Sequence, residues 1–248
     1  MTTVGEISRY VLMAAVAVSA VSGWAPAQTP HWDLKLGFSY LGTTGNSRTS
    51  STGLSAAFQR TWGDAQLQAM ASALRATDDG EKNAERFLAG VRGDLTIWKE
   101  LALTSGLSWE RDRFAGIDAR SVFDAGLKWS PQLHQALAFA ALVAATYTRE
   151  EQTGRPAGSF VGALAKADAA YAITATTKAT LGAALYPNFE TTKAWRATTA
   201  AGLQASLSSQ LALKLAWEYR YNNRPPAGFR KADTATVLSL VAQFPKLT

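Results

Sequence analysis

Polar and apolar positions alternate along most of this chain, most plainly from Leu211 to Asn222. Leu211, Leu213, Leu215, Trp217, Tyr219 and Tyr221 fall on one face, and Ala212, Lys214, Ala216, Glu218, Arg220 and Asn222 on the other. Successive side chains point to opposite faces of a strand, so this stretch has a greasy strip and a charged strip. A soluble sandwich strand can show the same alternation. Here the apolar strip ends in tryptophan and tyrosines, where a lipid headgroup layer would lie.

About twelve such segments follow one another, each long enough for a tilted membrane strand of roughly 9–11 residues. They run over Trp32–Leu41, Thr49–Trp62, Ala65–Thr77, Glu85–Trp98, Leu101–Phe114, Ser121–Ser130, Leu137–Arg149, Val161–Ile173, Lys178–Phe189, Trp195–Leu207, Leu211–Asn222 and Thr234–Phe244. The pattern predicts an all-β fold, a transmembrane antiparallel up-and-down β-barrel of about 12 strands. Connections are expected to alternate strictly between tight turns, such as Gly63-Asp64 and Lys99-Glu100, and longer polar loops. Among the loops, Glu150–Ser159 is the longest expected.

Composition agrees with this. The 248 residues include no cysteine and 47% hydrophobic residues, at a mean hydropathy of −0.06. Near-zero hydropathy excludes a helical membrane bundle but suits a barrel, half of whose strand positions are polar. Residues 1–27 read as a signal peptide, with Arg9 ahead of the apolar run Val11–Val21 and cleavage after Ala25-Pro26-Ala27. That leaves 28–248 as one barrel domain. The formal charge of +6 comes from bases spread along strands rather than clustered, and an exported chain would not meet nucleic acid.

Thr44-Gly45-Asn46-Ser47 follows the first segment, and Asn222–Asp233 (NNRPPAGFRKAD) precedes the last. With these motifs the chain resembles the YdiY-type family, the salt-induced outer-membrane proteins. Its residues matching the family pattern are Gly45, Asn46, Ser47, Asn223, Pro225, Pro226, Gly228 and Asp233. The resemblance covers essentially the whole mature chain. It implies a porin-like barrel in the outer membrane of a Gram-negative bacterium and a link to salt or envelope stress, but no defined activity. It also implies the barrel-assembly machinery as a partner during biogenesis, with Leu240, Ala242 and Phe244 as the segment read.

By parity, the face away from lipid carries Lys35, Arg92, Asp94, Glu110, Asp112, Asp124 and Lys128. It continues with Lys166, Asp168, Lys178, Arg196, Lys214, Glu218 and Arg220. Two readings of these pore-lining positions stay open. Mixed charges in a narrow lumen can pair into a rigid interior, since an unpaired charge there is costly; or they can line a passive channel that selects small solutes or ions. A non-conducting structural barrel that binds lipid or a partner is the alternative to a channel.

A second set faces outward near one end: Arg48, Arg75, Arg111, Arg113, Arg149, Lys193 and Arg230. It could form a collar pairing with phosphates of outer-membrane lipid, including lipopolysaccharide, because arginine binds phosphate bidentately. Snorkelling bases would look the same.

No enzyme is expected. Glu110 and Asp112 share a face at i, i+2 as a glycosidase pair might, but bases surround them. The two histidines, His31 and His134, lie outside the strands, so neither a catalytic His nor a metal site is expected. No cofactor is expected either.

Overall fold

A computed structural model describes residues 31–43, 49–78 and 81–245. Twelve strands follow in order: β1 (His31–Thr43), β2 (Thr49–Trp62), β3 (Ala65–Asp78), β4 (Glu81–Trp98), β5 (Leu101–Asp112) and β6 (Ile117–Trp129). Then come β7 (Leu137–Gln152), β8 (Gly158–Ala172), β9 (Thr177–Tyr186), β10 (Arg196–Ser206), β11 (Leu211–Asn222) and β12 (Ala232–Pro245). Each pairs antiparallel with its sequence neighbours, and β1 pairs with β12, from Asp33 opposite Pro245 to Phe38 opposite Leu240. The sheet is a closed barrel and so has no free edge.

Two-residue periodicity sets what faces where. Exposed large hydrophobics such as Phe38, Leu54, Leu107, Phe123, Val143 and Leu215 form a belt around the outside. The opposite positions are closed in, whether small (Ala76, Ala144, Ala212) or charged (Asp94, Asp112, Glu218). This is the inverse of a soluble protein, and it is what lipid outside and a narrow lumen inside demand.

The barrel has a terminal end, where β1 begins and β12 finishes, and an opposite loop end. At the terminal end, Trp62 to Ala65 and Trp98 to Leu101 turn in two residues, with left-handed φ at Gly63 (54°) and Lys99 (42°). Neighbouring turns are tied together, Thr96 N–H donating to Asp64 O at 2.8 Å and Ser130 N–H to Glu100 O at 2.8 Å.

The expected strict alternation of short and long connections does not hold. Asp78–Asn83 is not a loop, because Asp78 pairs with Glu81 and the ladder runs almost to the tip. At the terminal end, residues 130–136 form a longer connection than a tight turn. Glu150–Ser159 shrinks to residues 153–157, since Glu150 and Gln152 stay paired with Arg120 and Ile117. Residues 187–195 and 223–231 are instead the longest described connections. β9 stops at Tyr186, short of the expected Phe189, because Pro187 cannot donate to the ladder.

Candidate functional site

Across the lumen near the loop end, side chains from opposite walls meet. Arg86 Nη2 of β4 lies 2.9 Å from Glu110 Oε1 of β5, and its Nη1 reaches Glu218 Oε1 of β11 at 3.4 Å, on the far side of the bore. Glu110 Oε2 takes Arg120 Nη1 at 3.0 Å, and Arg120 also bonds Glu150. Arg220 Nη1 donates to Asp112 Oδ2 at 2.9 Å and stands 3.6 Å from Glu110 Oε1. Asp112 is wholly buried, and its other oxygen accepts the Ala115 amide at 3.0 Å, anchoring a 3₁₀ turn at Arg113–Ala115. The result is a belt of ion pairs crossing the bore.

Farther down, pairs run along one wall. Arg92 Nη2 lies 2.8 Å from Asp124 Oδ2, Lys128 Nζ 2.7 Å from Asp94 Oδ2, and the Thr104 hydroxyl joins them by donating to Asp94 at 2.6 Å and accepting from Arg92 at 2.9 Å. Gly106 makes room for this. A Cβ there would lie 2.6 Å from Arg92 Nη2 and 2.7 Å from Asp124 Oδ2. Lys166 pairs with Asp168 at 2.9 Å, and Lys35 with Asp33 at 2.5 Å. Arg196 stacks on the Tyr186 ring at 4.9 Å. Lys178 and Lys214 make no hydrogen bond or ion pair with any described residue.

Parity therefore places the named interior residues, but three members of the cross-bore belt lay outside that reading. Arg86 is in phase with Arg92 and Asp94, Arg120 with Asp124 and Lys128, and Glu150 with Ala144 and Thr148. Extending each strand by its own periodicity would have found them. Loop assignments ending at Arg120 and beginning at Glu150 hid two of the three.

The proline-rich connection crosses the loop end of the barrel. Asn223 holds its base, its amide donating to Trp195 O at 3.0 Å and its Nδ2 to Lys193 O at 2.9 Å. Pro226 is fully buried, and with Phe229 it packs on Gly116, where a Cβ would lie 2.8 Å from Pro226 Cγ and 2.9 Å from the Phe229 ring. Arg155 Nη2 donates to Pro225 O at 3.1 Å. Gly228 turns the strap at φ 86°, and Asp233 returns to the belt, 3.9 Å from Arg220. The late motif thus builds a strap from β11–β12 over to the β5–β6 and β7–β8 connections. Gly45, Asn46 and Ser47 lie outside the described residues.

Of the basic collar, Arg75 and Arg149 stand exposed on the outward face and Arg111 is half-buried there. Arg113 sits in the 3₁₀ turn, where its Nη1 lies 3.6 Å from Glu85 Oε2. Lys193 is exposed in the β9–β10 connection. Arg230 does not face lipid: as part of the strap it lines the cavity. Arg48 lies outside the described residues.

Within the lumen lies a cavity of about 300 Å³. Its walls include Lys128, Ser130 and Ala140 toward the terminal end and Asn222, Pro225 and Arg230 toward the loop end.

Comparison with known proteins places this barrel. No curated protein matches the chain. The COG4313 outer membrane channel from Pseudomonas putida F1 is similar at 11% identity and a TM-score of 0.52, over 93% of this chain and 100% of that one. The NanC porin aligns at 13% identity and 0.49, over 88% and 99% of the two chains. The translocator domain of the autotransporter NalP from Neisseria meningitidis aligns at 9% and 0.48, over 88% of each. The first of these shows a shared fold, that of an outer-membrane channel-like barrel. A family model described as "Protein of unknown function, DUF481" matches residues 36–244, from β1 into β12, so the chain belongs to the DUF481 family, the YdiY-type proteins.

Proposed function

We propose that this protein is a narrow passive channel in the outer membrane of a Gram-negative bacterium, constricted on the extracellular side. Short turns and both strand termini then face the periplasm, and the strap faces outward. One observation carries the reading: a single cavity has lining residues toward both ends of the barrel. A cavity of about 300 Å³ stretched along a hydrocarbon core of roughly 30 Å leaves a bore for ions and small solutes, not for chains.

Arg120 Nη2, Asp124 Oδ1 and Asp168 Oδ1 are buried without a partner among the described residues. Such atoms need water, which favours a hydrated lumen over a dry core. Both earlier readings of the lumen charges then apply at different heights: the cross-bore belt braces and narrows the barrel, and the lower wall lines a wet passage. Transport rather than catalysis fits Glu110 and Asp112, whose oxygens are already held by arginines and by the Ala115 amide. The stress-related role rests on the family resemblance. The outward positions of Arg75, Arg111 and Arg149 support a contact with lipid phosphate, including that of lipopolysaccharide, as part of the same proposal.

Single-channel recording of the refolded mature chain in planar bilayers tests the channel. Discrete conductance steps, small beside those of wide porins, are expected. A folded, heat-modifiable barrel that never conducts would instead make the belt a permanent plug and the protein a structural barrel.

A further inference from the structure

At the loop end, Arg86, Arg120 and Arg220 each meet a carboxylate. The periplasmic end is different. Lys178 of β9 and Lys214 of β11 flank Gln204 of β10 in one row of the ladder, Lys178 opposite Gln204 and Gln204 opposite Lys214. β12 follows, with Ser239 opposite Lys214, and β1 beyond it carries Lys35 opposite Gln243. The three lysines thus stand on alternate strands, β9, β11 and β1, on the inward side of one stretch of wall near the terminal end.

Asp33, two residues from Lys35 on β1, is already bound to it at 2.5 Å. The nearest inward acid on the next strand, Asp168, is taken by Lys166. Their ladder partners are all neutral: Gln204, Ser239 and Gln243, with Ala57 opposite Lys35 and Ala172 opposite Lys178. Gly202 leaves space beside the Lys214 stem, whose Cε would sit only 3.6 Å from a Cβ at that position. None of the three lysines lines the main cavity, so the cluster lies apart from it, toward the terminal end.

Like charges held together inside a low-dielectric wall are stable only with water or a counter-ion between them. A cleft lined by one sign of charge also concentrates ligands of the other sign. We propose that Lys35, Lys178 and Lys214 form a binding vestibule for small polyvalent anions, carboxylate or phosphate in kind, at the periplasmic mouth. As the solute class of the channel it rests on that reading; as a binding site it can be tested without conduction.

The mature protein would be placed in phosphatidylcholine nanodiscs and titrated calorimetrically with citrate and, separately, inorganic phosphate at low ionic strength. Wild type should bind citrate more tightly than phosphate, since it can engage more of the three lysines. The double variant Lys178→Gln/Lys214→Gln should weaken citrate by about tenfold or more, as expected for losing charge-assisted hydrogen bonds. Lys178→Arg/Lys214→Arg should retain it, and heat-modifiable migration shows that each variant is folded. In bilayers under a salt gradient, the reversal potential should lie on the anion side and move toward zero in the glutamine variant. Absence of citrate binding, or equal binding by the glutamine variant, overturns the vestibule. Citrate binding without conductance would sink the channel and leave the vestibule standing; conductance indifferent to citrate and to both lysines would do the reverse.

Discussion

Asp112 shows what a single residue does in this lumen. Its side chain is wholly buried, takes Arg220 at 2.9 Å, lies 3.9 Å from Arg86 and caps the turn that carries Gly116. Removing one partner of a buried pair strands the others. Asp112→Ala should therefore destabilise the barrel by about 3–5 kcal/mol, and Asp112→Asn by less, because the amide oxygen still accepts. The shift in urea midpoint for loss of heat-modifiable migration measures both. A loss no larger for alanine than for asparagine would mean that solvent reaches the belt. Alternation marked Asp112 as an inward residue, but its partner Arg220 lies 108 positions away, and no local pattern carries that pairing. The same holds for Arg86 and Glu218, joined across the bore only because β4 and β11 face each other in the closed ring.

Among the elements, the strap departs furthest from its sequence-level description. Two prolines and a glycine mark an irregular connection. Its seat was not legible, because that seat is a missing Cβ at Gly116 on a different hairpin. Gly116 has φ 72°, where a branched side chain costs roughly 1–2 kcal/mol. Gly116→Val adds that strain to a clash with Pro226 and Phe229, and it should lift the strap. Single-channel conductance or open probability should rise, and Phe229→Ala should rise in the same direction without the backbone strain. Unchanged currents in both variants would show that the belt beneath, not the strap, sets the bore.

For the whole molecule, the proposed contact with lipid phosphate depends on height and orientation together. Arg75 and Arg149 share the outward face near the loop end with Arg111, while Arg113 is drawn to Glu85 and Arg230 turns to the cavity. Reversing the charges of Arg75, Arg111 and Arg149 together should lower the lipopolysaccharide that stays with the barrel through purification, measured as phosphate per protein. Reversing Arg230 should not. Equal retention in the triple variant would remove the collar.

Which side each strand residue faces was settled by the sequence, because a period of two is a property of the extended backbone, and a membrane outside with water inside makes the two faces chemically unlike. Strand number and the closed antiparallel order follow from the same repetition. The loop-like ends of β6 and β7 were misjudged where charge mimics a turn, and polar residues such as Arg120 and Glu150 continue the ladder because their partners lie inside the barrel. Only the tertiary structure decided which charges meet. Closing the ring sets β4 opposite β11 and leaves Lys178 and Lys214 on either side of Gln204 with no ion pair among the described residues, and electrostatic pairing depends on distance through space rather than separation along the chain.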